Sequence, residues 1–197
     1  MTYTFADDWF SPNLPNFTRF LLDEADPPLA GSPCRLLEVG AHEGRATTWL
    51  ADNLLAHPES RLDTLDLTLL SALHANVAAT GRAGQISLYE GNSEEILRQL
   101  PMATYDFIYV DASHQTIDVL TDAVLAFALA KPGSLIAFDD YEWDHPPWNE
   151  YGVPKPALDA FLSLYAYPER YKPVVSVLLK QWQLWVRKLS RRPWGNW

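Results

Sequence analysis

Three aspartates and one histidine have the residue types and spacing to do chemistry. Asp111 ends the apolar run that starts at Tyr105, and Asp139-Asp140 end the run that starts at Ser134. If those runs are neighbouring strands, three carboxylates converge at one edge, which is costly unless something offsets their charge. A hard divalent cation with a preference for oxygen would do so. The alternative is plain capping, of a helix by Asp111 and of the next loop by Asp140. His114 follows in Asp111-Ala-Ser-His114, just after the chain has left its strand. An imidazole there suits proton transfer near neutrality, and a structural first-turn histidine is the alternative. His42 and His145 fall in rim loops with less positional support. His57 and His74 sit inside helical stretches.

A second constellation is Leu36-Leu-Glu-Val-Gly-Ala-His-Glu-Gly44, a strand running into a glycine loop and then a helix. Glycines let backbone approach a ligand, and a helix start offers free N–H donors. The dinucleotide fingerprint G-x-G-x-x-G is not met, because the two positions after Gly40 that need glycine hold His42 and Arg45. What remains is acidic Glu38, then Gly40 and Gly44. Asp66 ends the second strand. It could accept hydrogen bonds from both ribose hydroxyls or cap the helix that follows. Asp63, on the same strand, lies further from its carboxyl end. The loop from Tyr141 to Tyr151 carries Trp143 and Trp148 as well. Such an aromatic loop can wall a substrate pocket, form a dimer contact or pack on the domain's own surface.

The elements that must position these groups follow from hydrophobic period and punctuation. Helices are expected over 13–25, 45–57, 68–80, 93–100, 114–130 and 156–167. Strands are expected over 35–39, 61–66, 85–90, 105–111 and 134–140, with Lys131-Pro-Gly133 as a turn. Val174 to Leu179 and Trp182 to Lys188 are separated only by Lys180 and Gln181 and read as a hairpin. Five βα units and a hairpin make an α/β fold: a doubly wound, Rossmann-like, mostly parallel seven-stranded sheet with a C-terminal antiparallel β-hairpin. Ligands of such sheets sit outside the carboxyl ends of the strands, where the polar residues above fall.

Composition sets the outer bounds. The 197 residues suit one domain, and 48% apolar against 20% charged residues allows a buried core. A single cysteine, Cys34, excludes an intrachain disulfide and fits a reducing, cytoplasmic setting. Residues 1–10 are acidic and do not read as a signal peptide, and no apolar run is long enough to span a bilayer. Net charge is −10, with all the surplus positive charge in residues 170–197, which hold seven basic and no acidic residues. An acidic bulk argues against nucleic acid as a partner. A small-molecule partner fits better, with no membrane, and a homodimer through the Trp-rich C-terminal strands stays open. The tail 189–197 is basic and aromatic, and reads as a locally packed or frayed end.

Taken together, the segments 36–50, 105–114 and 129–141 resemble class I S-adenosylmethionine-dependent methyltransferases, in the small bacterial group related to macrocin and catechol O-methyltransferases. The resemblance covers about residues 30–190 and implies a single methyltransferase-like domain over 1–197 with an N-terminal helical extension, 1–30. It implies that Glu38, Gly40 and Gly44 border the methionine part of the cofactor, with His42 in the place of the loop's usual middle glycine. Asp66 would hold the ribose, and Asn92 and Ser93 would lie near the adenine. Asp111, beside the cofactor, would join Asp139 and Asp140 in holding magnesium. Catechol-type enzymes carry lysine three residues after the metal aspartate. Here that residue is His114, the natural replacement as base. The activity implied is metal-assisted O-methylation of a small hydroxylated molecule, with Tyr141, Trp143, Trp148 and Tyr151 as the substrate wall. A nucleotide-dependent enzyme on the same fold and a non-catalytic cofactor-binding scaffold are the rival readings.

Overall fold

The computed structural model describes residues 2–26, 28–146, 150 and 152–189. Trp148, Tyr151 and residues 190–197 of the tail lie outside the described residues. Seven strands run in the order β3-β2-β1-β4-β5-β7-β6, the mostly parallel sheet and antiparallel hairpin expected from the sequence. The chain divides into two compact units, Met1–Asn92 and Ser93–Trp197.

In the first unit, β1 (Arg35–Val39), β2 (Arg61–Asp66) and β3 (Ile86–Glu90) pair in parallel, β2 lying between the other two. β1 and β2 are buried along nearly their whole length, as central parallel strands covered on both faces are, although β2 carries Asp63 and Thr64 into that interior. Three helical segments precede or join these strands. α1 (Leu14–Thr18) is followed by α2 (Arg45–Leu54) and α3 (Ser71–Ala79). In α2, Ala46, Leu50, Ala51 and Leu54 are buried, the spacing of one helical face. The helix expected over 13–25 is present in pieces: a 3-10 turn Ser11–Asn13, then α1, then a π-helical turn Arg19–Asp23. Its apolar face nevertheless holds, with Phe17, Phe20 and Leu21 all buried.

In the second unit, α4 (Ser93–Leu97), β4 (Tyr105–Val110), α5 (Thr116–Leu129), β5 (Ala130–Phe138) and α6 (Pro154–Tyr165) precede β6 (Val175–Lys180) and β7 (Leu184–Lys188). β4 pairs parallel to β5, β5 antiparallel to β7, and β7 antiparallel to β6. The turn expected at Lys131-Pro-Gly133 lies instead within β5. The register jumps there from Tyr105↔Ala130 to Phe107↔Leu135, so the strand bulges around the proline and glycine rather than starting after them. Phe107 stacks on Trp185 at 5.5 Å, and Phe138 and Phe161 close the core beside them. Among the described residues no helix is long and apolar enough to cross a membrane.

One buried cation closes the end of α5. Lys188 is 2% exposed and donates from Nζ to the carbonyls of Phe127 and Ala130 at 2.6 and 2.7 Å. These are end-of-helix carbonyls without a partner inside α5, and the ammonium also lies 4.3 Å from the Phe127 ring centre. Lys188→Met removes both of these buried bonds. We expect it to lower unfolding free energy by about 3 kcal/mol in urea denaturation, after allowing for the cation no longer being dehydrated.

Candidate functional site

The glycine loop of the first unit is held from below by Asp66. Its Oδ2 accepts from the amides of both Ala41 (2.9 Å) and His42 (2.7 Å), and Oδ1 lies 3.4 Å from the Thr68 amide. Asp66 does not cap α3, which begins at Ser71 after Leu70. Its local role is to brace the loop. Gly40 (φ +94°) and Gly44 (φ +84°) take left-handed conformations, and so does His42 at φ +47°. A non-glycine residue there is uncommon, although histidine tolerates it better than most. Gly44 has no room for a side chain: a Cβ would meet Leu73 Cδ1 at 2.6 Å.

Glu38 lies fully buried beneath the loop. Oε2 accepts from the hydroxyls of Thr47, at 2.6 Å, and Thr64, while Oε1 is buried with no partner. Burial pushes this carboxyl up to about 7, against the two threonine bonds that pull it down. A buried acid with one idle oxygen is what a polar ligand of the loop would leave behind. Asn92 closes the first unit. Ser93 opens the second and donates from Oγ to Asp122 Oδ2 at 3.1 Å. Asp122 is a residue that sequence reasoning missed; burial pushes its carboxyl up to about 6.

In the second unit the strand ends of β4 and β5 bring the expected acidic groups together. Asp111, His114 and Asp140 each offer a ligand atom within 4.8 Å of the others. His114 Nε2 is 2.6 Å from Asp140 Oδ2, and the two side chains are 35% and 22% exposed. Together with Ser113, Asp139 and Pro154 they line a small cleft. Asp140 takes φ +55°, a second left-handed non-glycine residue at a site. Asp139 stands differently from its neighbours. Oδ1 accepts from the Asp140 amide at 2.9 Å, and Oδ2 accepts from Tyr109. Burial pushes Asp139 up to about 6, although the Tyr109 bond works the other way. Its oxygens are thus engaged, and His114 takes the third place in the half-buried cluster. Tyr109 was not singled out from the sequence. Its hydroxyl also lies 3.0 Å from Asp111 Oδ2, so one phenol ties the two strand ends together. Burial, and then the two carboxylate charges, hold its own pKa well above 10. Only its place two residues before Asp111, on the same strand face, could have signalled it.

Of the aromatic loop, Trp143 lies against His114, ring centres 4.6 Å apart and planes tilted by 44°. Tyr141 is turned inward rather than toward a pocket: it is 1% exposed, donates to Asp159 Oδ1 at 2.6 Å and accepts from Lys155. Trp148 and Tyr151 lie outside the described residues.

Residues 37–141 match a family described as a methyltransferase domain. The chain belongs to that family. The match takes in the glycine loop, Asp66 and the whole acidic cluster. Solved structures share the fold of this methyltransferase. The O-methyltransferase TomG of Streptomyces achromogenes, involved in tomaymycin synthesis and solved with SAM, is 20% identical over 93% of this chain and 91% of that one, TM-score 0.60. The O-methyltransferase from Bacillus cereus, solved with SAH, is 20% identical over 78% and 74%, TM-score 0.59. MycE of mycinamycin biosynthesis, solved with Mg and SAH, is 17% identical over 96% of this chain and 51% of that one, TM-score 0.62. At these identities the likeness is one of fold, and the methyltransferase spans about half of MycE. No curated protein matches its sequence.

The state of Glu38 gives a prediction with a definite sign. Its folded pKa of about 7 exceeds the ordinary 4.5, so the folded chain holds this proton more tightly than the unfolded one. Stability is therefore fully present below about 4.5 and falls as pH rises toward 7, by about 3 kcal/mol in all. Glu38→Gln removes that slope. The variant is expected to be the more stable protein at pH 8, as read by urea unfolding across pH 4.5 to 8, while losing affinity for any ligand that uses the idle oxygen.

Proposed function

We propose that this methyltransferase transfers the methyl group of S-adenosylmethionine to a hydroxyl of a small molecule, with a divalent cation such as magnesium assisting. The observation that carries the reading is the half-buried cluster of Asp111, His114 and Asp140 at the strand ends of a methyltransferase domain. The donors suit both groups. Two carboxylates, Asp111 and Asp140, within reach of one point fit a small oxygen-preferring cation, and His114 stands beside them. The idle Oε1 of buried Glu38 fits a cationic or N–H donor such as the amino group of the cofactor's methionine. MycE, solved with Mg and SAH, lends support by analogy.

The residue roles follow from these positions. Glu38, Gly40, His42 and Gly44 border the methionine portion. Asp66 serves the ribose while bracing the loop, and Asn92 and Ser93 serve the adenine. Asp111 and Asp140 hold the cation, with Asp139 bonded behind them. A bound cation would acidify and orient the acceptor hydroxyl. Methyl transfer is an in-line displacement at carbon, so positioning supplies most of the catalysis. Asp140 fixes His114: with Nε2–H donating to the carboxylate, Nδ1 keeps its lone pair and takes the acceptor's proton as the new C–O bond forms. Trp143, tilted against His114, walls the acceptor side.

Thermal unfolding with SAM, SAH or NAD, each with and without magnesium, tests the reading. A ligand at a hundred times its dissociation constant adds about 2.7 kcal/mol. Stabilisation by both sulfur cofactors and not by NAD is expected; stabilisation by NAD alone, or by none at millimolar ligand, overturns it. In an acceptor assay His114→Ala should lower kcat by about 100-fold or more and leave SAH affinity within about twofold. Unchanged turnover would remove His114 from the mechanism.

A further inference from the structure

The segment before α1 is fastened to the glycine loop by an unusual set of contacts. Residues 2–10 form no strand or helix, yet side chains of the loop and its two following helices grip their backbone. Asn76 of α3 accepts from the Thr4 amide at 3.0 Å and donates to the Thr4 carbonyl at 2.8 Å and the Glu43 carbonyl at 2.9 Å. One buried amide thus joins the arm to the loop. Glu43 accepts from the Ala6 amide at 2.7 Å. Arg45, the first residue of α2, donates to the Asp7 carbonyl, pairs with Asp8 at 3.2 Å and lies 4.2 Å over the Phe5 ring. Tyr3 donates to Asp52 further along α2. The far end is anchored by Phe10, buried against Phe17.

Between these anchors Trp9 is 69% exposed, and its ring lies 5.0 Å from that of His42. The pairing joins two oddities. His42 occupies the loop's middle position in a left-handed conformation that costs an L residue roughly 1 kcal/mol. The indole, tilted 31° to the imidazole, covers that ring, and the loop in turn holds an indole that stays largely in water. An aromatic side chain left open beside a ligand loop is free to contact what the loop binds.

We propose that residues 2–10 are a strap over the cofactor loop, and that Trp9, seated on His42, is a cofactor-contact residue. This inference rests on the cofactor reading above. Because Asn76 and Glu43 bond to both arm and loop or to the arm from the loop, an occupied loop and a docked arm favour each other. The strap slows cofactor release, and Trp9 supplies the apolar wall that the small loop residues lack.

The test is calorimetric binding of SAH to the full chain and to Trp9→Ala and Trp9→Phe, with hydrogen exchange of the arm amides. Trp9 is exposed enough that Trp9→Ala should keep its unliganded melting temperature within about 2 °C. We expect SAH to bind about fivefold to twentyfold more weakly to Trp9→Ala, and within about threefold of the unmodified chain to Trp9→Phe. In the unmodified chain, saturating SAH should slow exchange at Thr4 and Ala6. SAH affinity within twofold for Trp9→Ala, or arm amides that do not respond while those of Ala41 and His42 do, overturns the proposal. An unmodified chain that binds no SAH at millimolar concentration sinks the cofactor reading itself, and the strap with it.

Discussion

Burying the Glu38 carboxyl is the constraint around which the first unit is arranged. A carboxylate in that position cannot be solvated by water, and the energy of an unmet charge there would rival the stability of a whole domain. The chain answers with two threonine hydroxyls on one oxygen and partial retention of the proton. Thr64 comes from β2 and Thr47 from α2, so the acid ties two strands and the following helix to one point. That tie sets where α2 begins. The start of α2 in turn sets where the loop amides of Ala41 and His42 face, and Asp66 completes the frame by accepting from both. The arm is a later consequence of the same frame, because Glu43 and Arg45 can grip it only from a loop that is already fixed.

The second unit meets a different electrostatic demand with a different device. Asp111, Asp139 and Asp140 lie close enough that three free charges would repel one another strongly. Tyr109 donates its one hydroxyl proton between Asp111 and Asp139, the Asp140 amide supports the other oxygen of Asp139, and His114 meets Asp140. The groups are graded by burial. Tyr109 is buried, Asp139 is nearly so and its carboxyl holds a proton more readily than a free one, whereas Asp140 and His114 are the more open to the cleft. A grade of this kind separates a framework that keeps geometry from the groups able to act on a ligand.

The strand framework was legible in the sequence because buried parallel strands leave continuous apolar runs, and 105–111 and 35–39 are such runs. The polar residues at their ends were legible for the same reason, as a change of character after an apolar run. What escaped were contacts that local pattern does not encode. Asn76 reaches Thr4 across 72 positions and Glu43 reaches Ala6 across 37, in both cases to backbone, which has no residue signature. Tyr109 was read only as part of a core run, since its ring is core and only its oxygen is not. The inward turn of Tyr141 depends on Asp159 and Lys155 from α6, 18 and 14 residues away. The bulge at Lys131-Pro-Gly133 was misplaced because proline and glycine signal a break in pairing without saying whether the strand has begun.

The left-handed residues show what the two sites have in common. His42 and Asp140 each stand at the carboxyl end of a strand, and each is held in a conformation that an L residue avoids. Histidine and aspartate tolerate this region better than most residues, and their surroundings hold both in it. The His42 backbone is drawn down by Asp66 and its ring is covered by Trp9; the Asp140 amide is drawn to Asp139 and its carboxylate to His114. In both cases one acidic neighbour fixes the main chain while an aromatic or imidazole ring fixes the side chain. Such strain persists only where surrounding groups over-determine it. It therefore falls where the side chain must stand away from the strand that carries it: at the loop that would receive the cofactor, and at the cluster that would receive the acceptor. A glycine at either position would relieve the strain and remove the group that uses it.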